Sequence, residues 1–262
     1  MTQNNDEKLT FFEHLAVFRQ MLFRIMGVTT IFAFIIFCFK DLTFEILLAP
    51  SKSDFIFYRW VKTICGLFGI ETAFKTFTVK MISTELAGQF LVHLSTTFYL
   101  ALLCASPYIV YELYKFVAPA LYENEKKYSV RIVLSIYGLF FLGVLLSYYV
   151  IFPVSFNFLG TYQVNECIEN QINISSYFSS FVSLTFLLGL VFQLPVLSFI
   201  LAKIGLLTPV VMTNYRRHAF ILIMVLAALI TPSDLFSMFL VGLPVFGLYE
   251  LSIKIVKRNC GE

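Results

Sequence analysis

Apolar residues run through this chain in long unbroken blocks and do not alternate with polar ones. A helix rises about 1.5 Å per residue, so about 20 apolar residues are needed to cross a hydrocarbon core of about 30 Å. Two shorter blocks, 219–230 and 235–251, are separated only by residues 231–234, and they predict either two short spans or one re-entrant hairpin. The longer blocks, which predict membrane-spanning helices, are residues 22–39, 90–110, 132–152 and 177–202.

The composition indicates an all-α integral membrane protein with a single domain over residues 1–262. Hydrophobic residues make up 59% of the chain and charged residues only 13%, whereas a soluble domain has about 25% charged residues. A transmembrane β-barrel is excluded as well, because its strands alternate apolar and polar residues. The outer loops of the predicted bundle are residues 40–89, 153–176 and 231–234.

Basic residues set the expected orientation, because Lys and Arg close to span ends stay in the cytoplasm. Counted over the N-terminal segment, the loops after the second and fourth spans, and the C-terminal tail, thirteen Lys and Arg share one side. The other six lie in the long loop 40–89, where acidic residues offset them. The pattern predicts six spans, with both termini in the cytoplasm and the last two spans short.

Polar side chains are scarce inside the predicted spans. Arg24 is close enough to a span end to reach the interface, and His93 is expected to be capped or to face water near the outer end of the second span. Gln193 lies deep in the fourth span beside Pro195, which deprives the carbonyl of Val191 of its helical donor. We expect the Gln193 amide either to bond that carbonyl or a neighbouring helix, or to meet a partner protein.

The side chains needed for catalysis or cofactor binding do not come together in the sequence. His14 and His218 are expected on the cytoplasmic side and His93 towards the other, so no two histidines share a depth on facing helices. HExxH is absent and the five cysteines form no CxxC pair, so neither an enzyme, a metal site nor a cofactor is expected. The net charge of +3 is too small and too dispersed for nucleic-acid binding. Cys65 and Cys167 are the two cysteines in outer loops, and they form a disulfide only if their Cα atoms lie within about 7 Å.

Carboxylates beside aromatic and proline residues, beginning with Tyr111-Glu112, are expected to be displayed on the cytoplasmic face between the second and third spans. The stretch Phe116-Val-Ala-Pro-Ala-Leu-Tyr-Glu-Asn-Glu125 resembles the F-x-x-P-A-L-Y-x-x-E signature of TatC, the multispanning subunit of the twin-arginine protein translocase. Glu13-His14-Leu15 with Arg19 is similar to the family's N-terminal H-L-x-E-L-R element, although Val17 stands where the family usually has glutamate. Further similarities are found at Ala49-Pro50, Phe152-Pro153, Phe192-Gln193-Leu194-Pro195 and Thr231-Pro232-Ser233-Asp234.

The resemblance implies a receptor in a bacterial or organellar inner membrane. It would bind the twin-arginine signal peptides of folded precursors and assemble with single-span subunits, TatA- or TatB-like, into an oligomeric complex within the lipid. The residue roles that it implies are signal-peptide binding by Glu125, Glu123, Glu13, Arg19 and Phe116, partner-helix docking at Gln193 and Pro195, and structural roles for Pro50, Pro119, Pro153 and Asp234.

Two other classes of protein remain open on the residues alone. A secondary transporter or permease for a small solute would need charged residues along a central cavity and broken helices in paired halves, and neither pattern is visible. A membrane scaffold without a ligand is compatible with the composition.

Overall fold

The structure is a computed structural model that describes residues 11–67, 80–117, 129–163, 165, 170–231 and 235–260. Helices dominate these residues. The α-helices are α1 (Phe11–Cys38), α2 (Lys40–Leu48), α3 (Ile56–Leu67), α4 (Gly88–Val117), α5 (Ser129–Leu146), α6 (Phe152–Thr161), α7 (Ile174–Val191), α8 (Leu194–Lys203), α9 (Pro209–Asn214), α10 (Arg216–Ile230) and α11 (Leu235–Cys260). The remaining elements are a 3-10 turn (Ala49–Ser51), a π-helical turn (Ser147–Ile151), β1 (Lys80–Ile82) and β2 (Gln171–Asn173).

Within the described residues, five helical segments are long and apolar enough to cross a membrane. Helix α10 is apolar but has only 15 residues, so it falls short of the usual spanning length. The five segments are Leu15–Cys38, Gly88–Leu113, Val133–Thr161, Ile174–Lys203 and Leu235–Arg258.

Most helices extend beyond the apolar blocks, because helix formation does not stop where hydropathy falls. Helix α11 continues past residue 251 to Cys260. The positive charges of Lys257 and Arg258 in its last turn stabilise the negative C-terminal end of the helix dipole. The third block continues through the π-helical turn into α6, so residues 153–161, expected in an outer loop, are helical. Pro153 is the second residue of α6, a position where its missing N–H costs no helical bond.

The chain divides into two compact units. Unit 1 contains residues 1–38 and 97–137, and unit 2 contains residues 39–96 and 138–262. In unit 1 the principal elements are α1 and the later part of α4. Unit 1 also contains the beginning of α5, and unit 2 contains the first part of α4, the rest of α5, the other helices and the two strands.

Aromatic packing forms the core of unit 2. The Phe152 ring lies 5.1 Å from that of Tyr177 and 4.9 Å from that of Phe181, both edge to face. Beside this core, β1 and β2 pair in parallel, with Lys80 opposite Gln171. The side chain of Asn173 caps α7 by accepting a hydrogen bond from the Ser175 N–H. These contacts fix the end of the unit where α7 begins.

Helices α10 and α11 form an antiparallel pair with a constant register. The ring of Phe220 lies 5.4 Å from that of Phe246, and four residues further from the turn Arg216 Nε is 2.8 Å from Glu250 Oε1. In successive contacts the residue number decreases along α10 as it increases along α11, as it does in an antiparallel pair. The chain therefore returns on α11 to the level at which α10 begins.

Candidate functional site

The beginning of α1 and the end of α4 lie side by side in unit 1. The rings of Phe18 and Phe116 have centroids 5.6 Å apart. Further along α1, Arg24 Nη1 lies 3.6 Å from Glu112 Oε2, so α1 and α4 run antiparallel. This pairing brings the residues around Arg19 to the same end of the unit as Phe116.

Glu112 is buried within this pairing, with 5% of its surface exposed. The Tyr108 hydroxyl, one turn earlier on α4, donates a hydrogen bond to Glu112 Oε1 at 3.0 Å. The expectation that Glu112 is displayed on the surface is wrong, because Arg24 and Tyr108 satisfy the carboxylate inside the protein. Sequence reasoning treated Arg24 as a residue that only reaches the interface and missed its partner, although the Tyr108–Glu112 spacing of one helical turn was visible.

The end of unit 1 that carries Phe18 and Phe116, which we call the α1–α4 end, presents several predicted residues. Arg19 is exposed and Phe116 is half-buried. Val17, at the position where the family usually has glutamate, is 43% exposed. The side chain of Glu13 and the residues Glu123, Glu125 and Pro119 lie outside the described part of the chain.

Gln193 lies at a break between two helices. Helix α7 ends at Val191, and α8 begins at Leu194 with Pro195 as its second residue. The Gln193 amide Nε2 donates to the carbonyl of Gly189 at 3.5 Å. Pro195 is fully buried and Gln193 is half-buried. At the break, the Gln193 side chain therefore hydrogen-bonds to the last turn of α7, the helix that precedes it.

Close packing between α5 and α7 supports this break. A Cβ atom on Gly143 would lie 2.8 Å from the carbonyl oxygen of Leu188 and 2.9 Å from the Phe192 ring. A Cβ atom on Gly189 would lie 2.7 Å from the Phe140 ring. Only glycine allows the two helices to approach this closely, so these residues fix the position of the segment that carries Gln193.

Two of the predicted structural prolines meet at one tyrosine. The Tyr58 hydroxyl donates to the carbonyl of Pro153 at 2.6 Å, and the carbonyl of Pro50 lies 3.4 Å from the same oxygen. Burial raises the pKa of Tyr58, so its hydroxyl keeps the proton that it donates. Asp234, the fourth predicted structural residue, lies outside the described residues.

Two further tyrosines attach α2 to the bundle. The Tyr148 hydroxyl donates to the carbonyl of Ile46 at 2.7 Å, and the Tyr177 hydroxyl donates to the carbonyl of Leu47 at 2.8 Å. These two tyrosines hold α2 by its backbone, and the Tyr58 side chain attaches α3 to the carbonyl of Pro153. Sequence reasoning missed these tyrosines, because such hydrogen bonds join residues about a hundred positions apart.

Buried polar groups also occur in α6, which was expected to be a loop. The Ser155 and Ser237 hydroxyls are 2.8 Å apart, joining α6 to α11. Asn157 is buried, and among the described residues its Nδ2 has no hydrogen-bond partner. These groups escaped the sequence search for polar residues within spans because the third span was expected to end at residue 152.

The remaining candidate side chains take structural positions. His93 lies edge to face with Phe44 at 5.6 Å. Within the part of the chain that the structure covers, no group of His, Cys, Asp and Glu is arranged to hold a metal ion. Cys65 lies on α3 and Cys167 is outside the described residues, so their disulfide stays a prediction.

Sequence comparisons with known proteins identify the family of this chain. Residues 13–244 match the family model of TatC, the Sec-independent protein translocase protein. The Sec-independent protein translocase protein TatC of Blattabacterium sp. subsp. Periplaneta americana is 32% identical over 257 residues, with 97% of each chain covered. The TatC protein of Escherichia coli K12 is 32% identical over 182 residues, with 70% of each chain covered.

Solved structures give the same result. A crystal structure of the twin-arginine translocase receptor TatC superimposes with a TM-score of 0.73 and 26% identity, covering 94% of this chain and 98% of that one. A second crystal structure of this receptor, in the detergent DDM, superimposes with a TM-score of 0.76, again with 26% identity, and covers 94% of this chain and 100% of that one. The chain therefore belongs to the TatC family of Sec-independent protein translocase proteins.

Proposed function

We propose that this chain is the subunit that receives twin-arginine signal peptides, and that it binds them at the α1–α4 end. As a TatC protein it is a core membrane subunit of the twin-arginine translocase and is not an enzyme. This assignment replaces the small-solute transporter and the scaffold without a ligand. The observation that carries the proposal is the antiparallel pairing of α1 with α4, because it joins the two segments that resemble the family's cytoplasmic motifs.

The chemistry of the proposed site follows from the ligand. A guanidinium group is recognised by a fixed carboxylate, often through two parallel hydrogen bonds, and it stacks on aromatic rings. Glu125 is the main carboxylate of the proposal, with Glu123 and Glu13 as further acidic groups. The half-buried ring of Phe116 supplies an aromatic surface beside the segment that leads to Glu125. Arg19 is a flanking polar residue in this site.

The proposed topology has six spans with both termini in the cytoplasm. The antiparallel register of α10 and α11 supports the two-span interpretation of the last pair, because Glu250 returns to the level of Arg216. A 15-residue helix such as α10 is about 22 Å long, which is shorter than a hydrocarbon core of about 30 Å. The pair is therefore proposed to span a locally thinned bilayer.

Charge removal at Glu125 tests the receptor proposal. In Glu125→Gln, crosslinking of a twin-arginine precursor to this chain should fall at least about tenfold, since a charge-assisted hydrogen bond contributes about 1.5–3 kcal/mol. Glu123→Gln, two residues away, is the matched control and should have a smaller effect. Val17→Glu should strengthen binding, because it adds a carboxylate at an exposed position of α1. Unchanged crosslinking in Glu125→Gln would rule out the assigned role.

Gln193 and Pro195 are proposed to form part of the docking site for a single-span partner subunit. The helix break, the half-buried amide and the close packing under it support a fixed polar position inside the membrane. Such a partner is needed because six helices of this length leave no wide polar passage for folded cargo. The precursor, this chain and several partner subunits would then form an oligomeric complex.

A substitution at Gln193 separates docking from packing. In Gln193→Leu, crosslinking to the partner subunit and export should both fall several-fold, while signal-peptide binding at the α1–α4 end continues. Val196→Leu, three residues further along the chain, controls for a change of side-chain volume. If partner crosslinking persists and only the thermal stability in detergent falls, Gln193 serves packing alone.

A further inference from the structure

We propose that α3 is a membrane-surface helix whose outward face, formed by Ile56, Arg59 and Trp60 with Lys62 at its edge, binds the anionic headgroup region of the bilayer. This inference is independent of signal-peptide binding. It concerns the segment after α2, to which neither the motifs nor the mechanism above give a role. Three observations carry it: how α3 is attached, the level at which it lies, and the side chains that it leaves exposed.

One face of α3 is attached to the bundle. Tyr58 is buried and its hydroxyl bonds to the carbonyl of Pro153. Phe55, just before the helix, stacks on Tyr149 at 5.8 Å and meets the edge of Tyr148 at 5.5 Å. These contacts define the side of α3 that faces the protein. The opposite side, which carries Ile56 and Trp60, therefore faces away from it.

The contacts also give the level of α3 along the spans. The Tyr58 hydroxyl bonds to the carbonyl of Pro153, and the ring of the preceding residue, Phe152, packs on Tyr177. Tyr177 lies in the first turn of α7, three residues after Ile174, where the apolar segment Ile174–Lys203 begins. Helix α3 is therefore held where a membrane-spanning segment emerges from the hydrocarbon, which is the level of the lipid headgroups.

The outward face of α3 has the composition of an interfacial helix. Trp60 is 70% exposed and Ile56, one turn earlier, is 48% exposed. Arg59 is exposed beside them, Lys62 is exposed at the edge of this face about one turn after Arg59, and α3 contains no acidic residue. Tryptophan prefers the membrane–water interface, and basic side chains near it attract anionic lipids. A patch of apolar and basic side chains at headgroup level fits this region better than it fits water.

The intrinsic fluorescence of the protein tests this inference directly, because Trp60 is its only tryptophan. The full chain is reconstituted into vesicles of phosphatidylcholine with or without phosphatidylglycerol. We expect Trp60 emission to be blue-shifted in vesicles, to be quenched strongly by lipids brominated near the headgroup, and to be shielded from iodide. The headgroup-proximal bromine should quench several times more than bromine at the chain end.

Two variants test the basic side chains. In Arg59→Gln/Lys62→Gln, the preference of the protein for phosphatidylglycerol should fall by about fivefold for each charge removed. Lys52→Gln, an exposed lysine outside the helix, is the matched control. Lipid preference is measured by exchange of labelled phosphatidylglycerol at the reconstituted chain, with Trp60 emission as the check on folding.

The opposite results would overturn the proposal. Emission typical of indole in water, together with full access to iodide in vesicles, would show that the face of α3 is solvated. A blue shift that arises only when single-span partner subunits are added would show that a protein covers the face instead of lipid. Both results leave signal-peptide binding at Glu125 untouched, so the two proposals fail separately.

Discussion

The side chain of Glu112 shows how a charge is kept inside unit 1. A buried carboxylate without partners would be strongly destabilising, and here Arg24 and Tyr108 supply the positive charge and the hydrogen bond. Arg24 reaches solvent with half of its side chain, whereas Glu112 does not. The pair is therefore asymmetric: loss of the arginine leaves a buried charge, and loss of the carboxylate leaves a cation that water can solvate.

This asymmetry gives a prediction for the two single variants. Arg24→Met should lower the unfolding temperature in detergent more than Glu112→Gln does. The cost should stay below the about 3–5 kcal/mol measured when a fully buried pair is broken, because Arg24 is half exposed. The double variant should recover part of the loss, giving a positive coupling in a double-mutant cycle. Equal and additive effects of the two variants would contradict a direct pair.

At the scale of elements, α5 and α7 are held together by two glycines. Gly143 has no room for a methyl group, because its Cβ would press on the main-chain oxygen of Leu188. Gly138, on the same helix, has nothing within 4 Å of its would-be Cβ. Comparing the same substitution at the two positions separates the effect of tight packing, present only at Gly143, from the low helix propensity of glycine, which both share.

We therefore expect opposite outcomes for the same substitution. Gly143→Ala should destabilise the protein by about 1–3 kcal/mol, as overpacking in a core does. Gly138→Ala should be neutral, or stabilising by up to about 1 kcal/mol, because alanine favours the helix. Thermal unfolding of the purified chain measures both. If the two variants behave alike, the close approach of α5 and α7 is not what limits position 143.

At the scale of the whole molecule, the antiparallel pair α10–α11 has a fixed apolar length. Its ion pair Arg216–Glu250 closes one end, and the 15 residues of α10 set the distance to the other end. A bilayer thicker than the pair must either thin locally or bring these charges into contact with hydrocarbon. Each ångström of mismatch costs a fraction of a kcal/mol.

The length of α10 predicts a dependence on lipid chain length. Thermal stability should be higher in dimyristoleoyl than in dierucoyl phosphatidylcholine vesicles, because the shorter lipid matches α10. Arg216→Leu should flatten this dependence, since it removes the charge that must stay out of the hydrocarbon. Stability that rises steadily with lipid length would contradict a short pair.

The sequence predicted most of the architecture, because long apolar blocks report directly on helices in lipid. The apolar blocks predicted as spans lie on helices in the structure, and short motifs identified the family. The sequence could not predict the burial of Glu112, which depends on which residue of α1 lies opposite on α4. It also ended the third span at residue 152, although the helix continues as α6, because proline is tolerated in the first turn of a helix.

Three tyrosines of unit 2, Tyr58, Tyr148 and Tyr177, bind carbonyl oxygens in a way that affects how freely the sequence can vary. Each hydroxyl holds the main chain, at Ile46, Leu47 and Pro153, and so recognises no particular side chain there. The attachment therefore tolerates substitution of the exposed Ile46 but not the loss of the tyrosine hydroxyls, whereas the buried Leu47 also packs through its side chain. Helix α2 can therefore diverge in sequence at its exposed positions while its position in the fold is inherited unchanged.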